Sequence, residues 1–215
     1  MMMTAARIFY RTRQFWSALW VRPVPADFTL TSRALTPALM ALFLKMQPSE
    51  QSHSLGVLQK LVEQGENHPD LWVAALLHDV GKSRYPLHVW ERVVIVLGKA
   101  LFPARVKDWG SDSPGAEEAR TGPQAWRRQG WRRQSWRRPF IVAEKHPVWG
   151  AELASQAGAS SLATALIRRH QEELEPATLV ANQRLNQIDP AAGTENAPSL
   201  EDRLLYKLQA ADSES

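Results

Sequence analysis

Six side chains in this sequence have two things in common. Each is a good metal ligand, and each stands at the end of an apolar helical run or on its apolar face. They are His53, His78, Asp79, His146, His170 and Asp212. His78 and Asp79 follow Ala74, Ala75, Leu76 and Leu77 and precede Gly81 and Lys82. His53 heads the run that holds Leu55 and Leu58, His170 prolongs the stripe of Leu162 and Leu166, and Asp212 prolongs that of Leu204 and Leu208. A polar group on a core face needs a partner, because an uncompensated buried charge costs several kcal/mol. A shared divalent centre would satisfy all six, and imidazole with carboxylate suits Mn, Fe, Mg, Zn or Co. The absence of cysteine excludes thiolate zinc sites, disulfides and cysteine nucleophiles. His68, in a polar turn, and His88, at a helix start, read as structural or exposed.

Helices must position these groups. Thr36 and Pro37 form a helix start, N-cap then first turn, and the spacing predicts a helix to about Met46, stopped by Pro48. A second runs from about Ser49 to Gln64 and ends at Gly65; a third runs from Pro69 to the His-Asp pair. Residues 87–101 form a fourth, more apolar helix. HPVWGAELASQAG is expected to start at Pro147 and stop at Gly158. ASSLATALIRRH follows, then a loop around 174–198, then SLEDRLLYKLQAAD with Ser199 and Asp202 resembling a capping box. No strand-like alternation of any length appears. The expected fold class is all-α, a bundle of about six helices.

Length and charge bound the rest. The 215 residues suit one domain with a real core. No apolar stretch approaches the roughly 20 residues of a membrane-spanning helix, and the N-terminus lacks a signal peptide's apolar core, so the cytoplasm is the expected compartment. Residues 7–20 carry Ile8, Phe9, Phe15, Trp16, Leu19 and Trp20 near helical spacing, with three arginines among them. This predicts an N-terminal amphipathic segment over residues 1–34. Six of the 26 basic residues lie in WRRQGWRRQSWRRP, 126–139; the other 20 face 22 acids. The basicity is therefore one local strip, suited to weak contact with an anionic surface, and the body is mildly acidic. The repeat, with its Pro-, Gly- and Ser-rich flank, reads as a low-complexity, disordered insertion over 104–139.

The ordered set of a histidine, then His-Asp-Val-Gly-Lys, then two histidines, then an aspartate in a helix ending LQAAD resembles the HD superfamily of metal-dependent phosphohydrolases. The resemblance spans about residues 48–212. HDVGK, HPVWGAELA and IRRH are most similar to the HD-GYP and cyclic-dinucleotide phosphodiesterase branch, which has His-Pro-x-x-Gly and Ile-x-x-His-His. Gln171 stands where that branch has its second histidine, and EELEPATL replaces its Gly-Tyr-Pro signature. Spacing agrees with the insertion. Asp79 and His146 are 67 residues apart, and removing 104–139 leaves 31.

The resemblance implies an HD-domain helical bundle over 35–212. It also implies one or two divalent metals: His53, His78, Asp79 and Asp212 on the first, with Asp79 bridging to a second completed by His146 and His170. A water activated between them would attack phosphorus in line. Lys82 would reach a phosphate oxygen as a point charge, with Arg84 and then Arg169 as weaker candidates. The implied substrate is a phosphorylated small molecule, a nucleotide or cyclic dinucleotide. The alternative is a non-catalytic signalling or scaffold protein that keeps the fold.

Overall fold

A computed structural model describes residues 28–111, 135–174 and 198–214. Among the described residues there are helices and no strands, so the fold class is all-α. The elements are α1 (Phe28–Ala34), α2 (Pro37–Phe43), α3 (Pro48–Glu63), α4 (Pro69–Leu77), a 3-10 turn (Val80–Arg84), α5 (Val89–Leu101) and α6 (Pro103–Ser111). A second 3-10 turn (Ser135–Arg137) leads into α7 (Arg138–Gln156), α8 (Ser161–Arg169) and α9 (Leu200–Ser213).

The centre of the bundle is α4. Its sequence PDLWVAALL is apolar on almost every side, and a helix apolar all round is a helix surrounded by others. Leu71 and Ala74 to Leu77 are inaccessible to solvent. Around it pack α1, α2, α3, α8 and α9, which contribute Leu39, Phe43, Leu58, Leu61, Leu166, Ile167, Leu205 and Leu208 to one continuous core. The long α7 closes the other side, against the Val80–Arg84 turn, α8, α5 and α6.

The helix ends follow the local chemistry. Thr36 Oγ1 accepts from the Leu39 N–H at 3.4 Å, and Ser199 Oγ accepts from the Asp202 N–H at 3.1 Å. Gly65 and Gly158 take φ of 80° and 86°, the left-handed conformation that ends α3 and α7. Pro48 is the first residue of α3 rather than the stop of α2, which ends at Phe43.

Three expectations change. Pro147 lies inside α7, which begins nine residues earlier at Arg138; the missing N–H is put to use, as shown below. The stretch 104–139 that reads as low-complexity and disordered is ordered at both of its edges. Residues 103–111 are helical, and 135–139 form a turn and the start of α7. Rings hold these edges: Trp109 meets Phe102, Trp136 and Phe140 at centroid distances of 5.8, 5.3 and 5.1 Å. Composition alone cannot register such contacts between distant aromatics. Finally, residues 28–34 belong to the bundle, with Thr31 buried and Leu30 and Ala34 against the core. The amphipathic stretch 7–20, residues 112–134 and most of the loop 174–198 lie outside the described residues.

Candidate metal centre

His78 and Asp79 sit where α4 runs out and the chain tightens into the 3-10 turn. The turn is pressed against α7 backbone to backbone. A Cβ on Gly81 would stand 2.0 Å from the His146 carbonyl oxygen and 2.7 Å from the Gly150 nitrogen; one on Gly150 would be 3.2 Å from the Gly81 nitrogen. Two glycines thus let the element carrying Asp79 approach the helix carrying His146.

On α7, Pro147 has no N–H to give the Ala143 carbonyl. His146 Nδ1 takes that carbonyl instead, at 2.9 Å, with Val142 O at 3.1 Å. His78 Nδ1 lies 2.9 Å from Ala75 O, and His170 Nδ1 2.8 Å from Ile167 O. A carbonyl only accepts, so each Nδ1 carries the proton and each Nε2 is left with a bare lone pair. His170 ends α8, and Arg169 beside it ties α8 to α9 through Glu201 at 2.5 Å and Asp202 at 3.0 Å. Gln209 on α9 donates to the His170 carbonyl at 3.1 Å. These links set Asp212, in the last turn of α9, opposite the end of α8.

All six sequence-selected residues converge, in two groups. His53, His78 and Asp212 form one and Asp79, His146 and His170 the other, with ligand atoms within 4.8 Å of one another in each. His53 Nε2 is 2.7 Å and His78 Nε2 3.6 Å from Asp212 Oδ1. Asp79 Oδ1 is 3.2 Å from His146 Nε2 and 3.9 Å from His170 Nε2; its Oδ2 is 3.7 Å from His78 Nε2. Asp79 therefore stands between the groups, one oxygen toward each.

The arrangement fits a cation. His78 Nε2 is buried and has no hydrogen-bond partner. His146 Nε2 and His170 Nε2 face each other at 3.2 Å, lone pair to lone pair. Protonation does not relieve this. Burial, then the neighbouring His78 and His146, push His170 down to about 3, and burial lowers His146 as well. For Asp79, burial acts upward, but the Lys82 ammonium, His78 and His146 hold the carboxyl well below the usual range. For Asp212, burial is likewise outweighed, chiefly by the His53 hydrogen bond. Neutral imidazoles and ionised carboxylates are the protonation states a divalent ion needs.

The three basic candidates divide. Lys82 Nζ is 2.6 Å from Asp79 Oδ2, at the site. Arg84 reaches Glu152 at 3.5 Å and lies over the Trp149 ring. It lines a surface hollow with Lys45 and Ser83. Arg169 is engaged by three acids as a tie between helices. Sequence reading passed over Glu50, buried on α3 and close enough to Lys82 and Asp79 for their charges to act on it, with burial raising its pKa. It pairs with Arg92 at 3.1 Å and accepts from the Gln47 N–H at 3.2 Å. Its one sequence signal is its capping position, three residues after Gln47, which by itself says nothing of the site.

Two His/Asp clusters buried in an all-helical bundle make a candidate metal centre of the kind a metal-dependent phosphohydrolase uses. Residues 51–104 match the family model of the HD domain, so that stretch is an HD domain. The match contains His53, His78, Asp79 and Lys82; His146, His170 and Asp212 lie beyond it. No curated protein and no solved structure matched the chain.

Proposed function

We propose that the protein hydrolyses a phosphate ester of a nucleotide or cyclic dinucleotide, using metals held by the six clustered residues. In this reading His53, His78, Asp79 and Asp212 hold one ion, and Asp79, His146 and His170 hold a second. The observation that carries it is the set of three Nε2 lone pairs, each fixed by a carbonyl behind its ring and directed at two carboxylates. A divalent cation there supplies Lewis-acid charge to a phosphoryl group and acidifies water. The protein's own groups do the rest. Lys82 holds Asp79 ionised and, one-quarter exposed, can also meet a phosphate oxygen. The His53–Asp212 pair, about one-third exposed, opens the site to solvent on the side from which substrate would enter. The cyclic-dinucleotide branch is the finer assignment, supported by HDVGK, HPVWG and IRRH.

The test is purified protein loaded with Mn²⁺ against a panel of nucleotides, cyclic dinucleotides and simple phosphoesters, alongside Asp79→Asn. Metal-dependent release of phosphate or nucleotide, lost in the variant together with bound metal, is the expected result. Two bound metals with no turnover across the panel would favour the non-catalytic scaffold, and no bound metal would sink the reading outright.

A further inference from the structure

The helix α5 is turned the wrong way round for a surface helix. Positions 89, 90, 93, 96, 97, 100 and 101 are apolar and share an arc of roughly 140° at 3.6 residues per turn. An amphipathic surface helix normally turns such an arc to the core. Here the buried side carries Glu91 and Gly98. Glu91 is paired with Arg138, and Gly98 accommodates the Phe140 ring. The apolar arc faces solvent, with Trp90, Leu97 and Leu101 exposed by 55%, 52% and 66%. The patch continues past the helix end through Phe102 and Trp136, each about half exposed, which flank Trp109.

The rim is basic. Lys99 and Arg105 are exposed beside the arc, and Arg137 lies over the Trp136 ring at 5.7 Å. The one acid of α5 is the buried Glu91; α6 adds Asp108. By sequence, residues 112–134 between α6 and the Ser135–Arg137 turn hold five arginines and three acids, and residues 1–26 hold four arginines and no acid; the structure of both stretches lies outside the described residues.

These charges select the occupant. A second copy docked face to face would set one basic rim against another, and residues 1–26 carry the same sign. Nucleic acid would answer the arginines but gains nothing from Val89, Val96, Leu97 or Leu101, since bases seek stacking rings. A lipid surface with anionic headgroups answers both features. Aliphatic side chains enter the acyl boundary while tryptophan and arginine stay at headgroup level. We propose that the outward face of α5, extended by Phe102 and Trp136, docks the protein on an anionic phospholipid surface. No helix among the described residues is long and apolar enough to cross a membrane, so the contact is peripheral.

The experiment is co-sedimentation of the full chain with phosphatidylcholine vesicles, with and without phosphatidylglycerol, at low and raised salt. Leu97→Glu with Leu101→Glu is the matched variant; both side chains point to solvent, and its melting curve and metal content verify the fold. Wild type should sediment with the anionic vesicles alone, less so at raised salt. The double variant should lose binding by about ten-fold or more. The proposal is overturned by wild type that stays unbound or binds neutral vesicles equally, or by a variant that binds undiminished. It is also overturned by light scattering that shows a wild-type dimer split by the same substitutions, or by binding to RNA in place of vesicles.

Discussion

Pro147 does more at the residue scale than end or kink a helix. By withholding an N–H from Ala143 O, it leaves that carbonyl to His146 Nδ1, and the proton fixed there points the Nε2 lone pair at Asp79. Pro147→Ala restores a competing backbone donor. Metal affinity is expected to fall about 10-fold, the usual cost of disturbing a ligand's outer hydrogen bond, while the helix itself becomes no less stable. Titration with Mn²⁺ alongside a melting curve separates the two effects. The same imidazoles make the metal-free fold acid-sensitive. Unfolded histidine takes a proton below about pH 6.5, whereas folded His170 does so near 3. The unfolded state therefore binds more protons between these values, and stability falls as pH falls through that window. From pH 6.5 to 5, His170 alone should remove about 2 kcal/mol, and His146, lowered too, adds to it. Melting of chelator-treated protein across this range should show a steady drop; a flat profile would mean the imidazoles are not held neutral.

At the scale of elements, the site exists because two backbones touch. The Val80–Arg84 turn meets α7 at Gly81 and Gly150, with no room for a methyl group between them. Gly81→Ala forces α7 away from the turn. It should cost about 3 kcal/mol as an overpacking change and should part Asp79 from His146. Urea unfolding measures the first consequence. The second predicts a larger loss of metal than the stability change alone would produce, since only one of the two groups spans that contact. The α8–α9 junction has the corresponding job for the other side. Arg169, held by Glu172, Glu201 and Asp202, with its pKa raised first by the Glu201 bond, keeps the ends bearing His170 and Asp212 together. A residue that reads in sequence as a phosphate contact is here a fastening between helices.

For the whole molecule, the six groups come from α3, the end of α4, α7, the end of α8 and α9, so a bound cation ties together nearly every layer of the bundle. Metal binding is then linked to global folding. Saturation at 100 times Kd should add about 2.7 kcal/mol, a rise of about 5–10 °C in Tm for a domain of this size. A chelator should reverse it. A metal that bound without moving Tm would have to sit on a surface the unfolded chain also offers. The outward arc of α5 is separate from this core, and vesicle binding should persist in chelator-treated protein.

Much of this was readable from order and periodicity. The all-α class, the starts at Pro37 and Ser199, the stops at Gly65 and Gly158, and the candidate ligands are local or pattern signals, and a helix end or a polar residue on an apolar stripe announces itself without neighbours. Tertiary structure alone decided the rest, because those features depend on atoms distant in sequence. Pro147 sits mid-helix because α7 begins well upstream of it, where Phe140 packs on the Trp109 ring of α6. Gly81 had to be glycine only because α7 passes over it. Arg169 was claimed by acids on α9, and Glu50 entered the site's field through Lys82. The direction in which α5 faces was hidden for the same reason: periodicity reveals that a helix has an apolar side, but which side the protein buries depends on Phe140 and Arg138, some forty residues further along the chain.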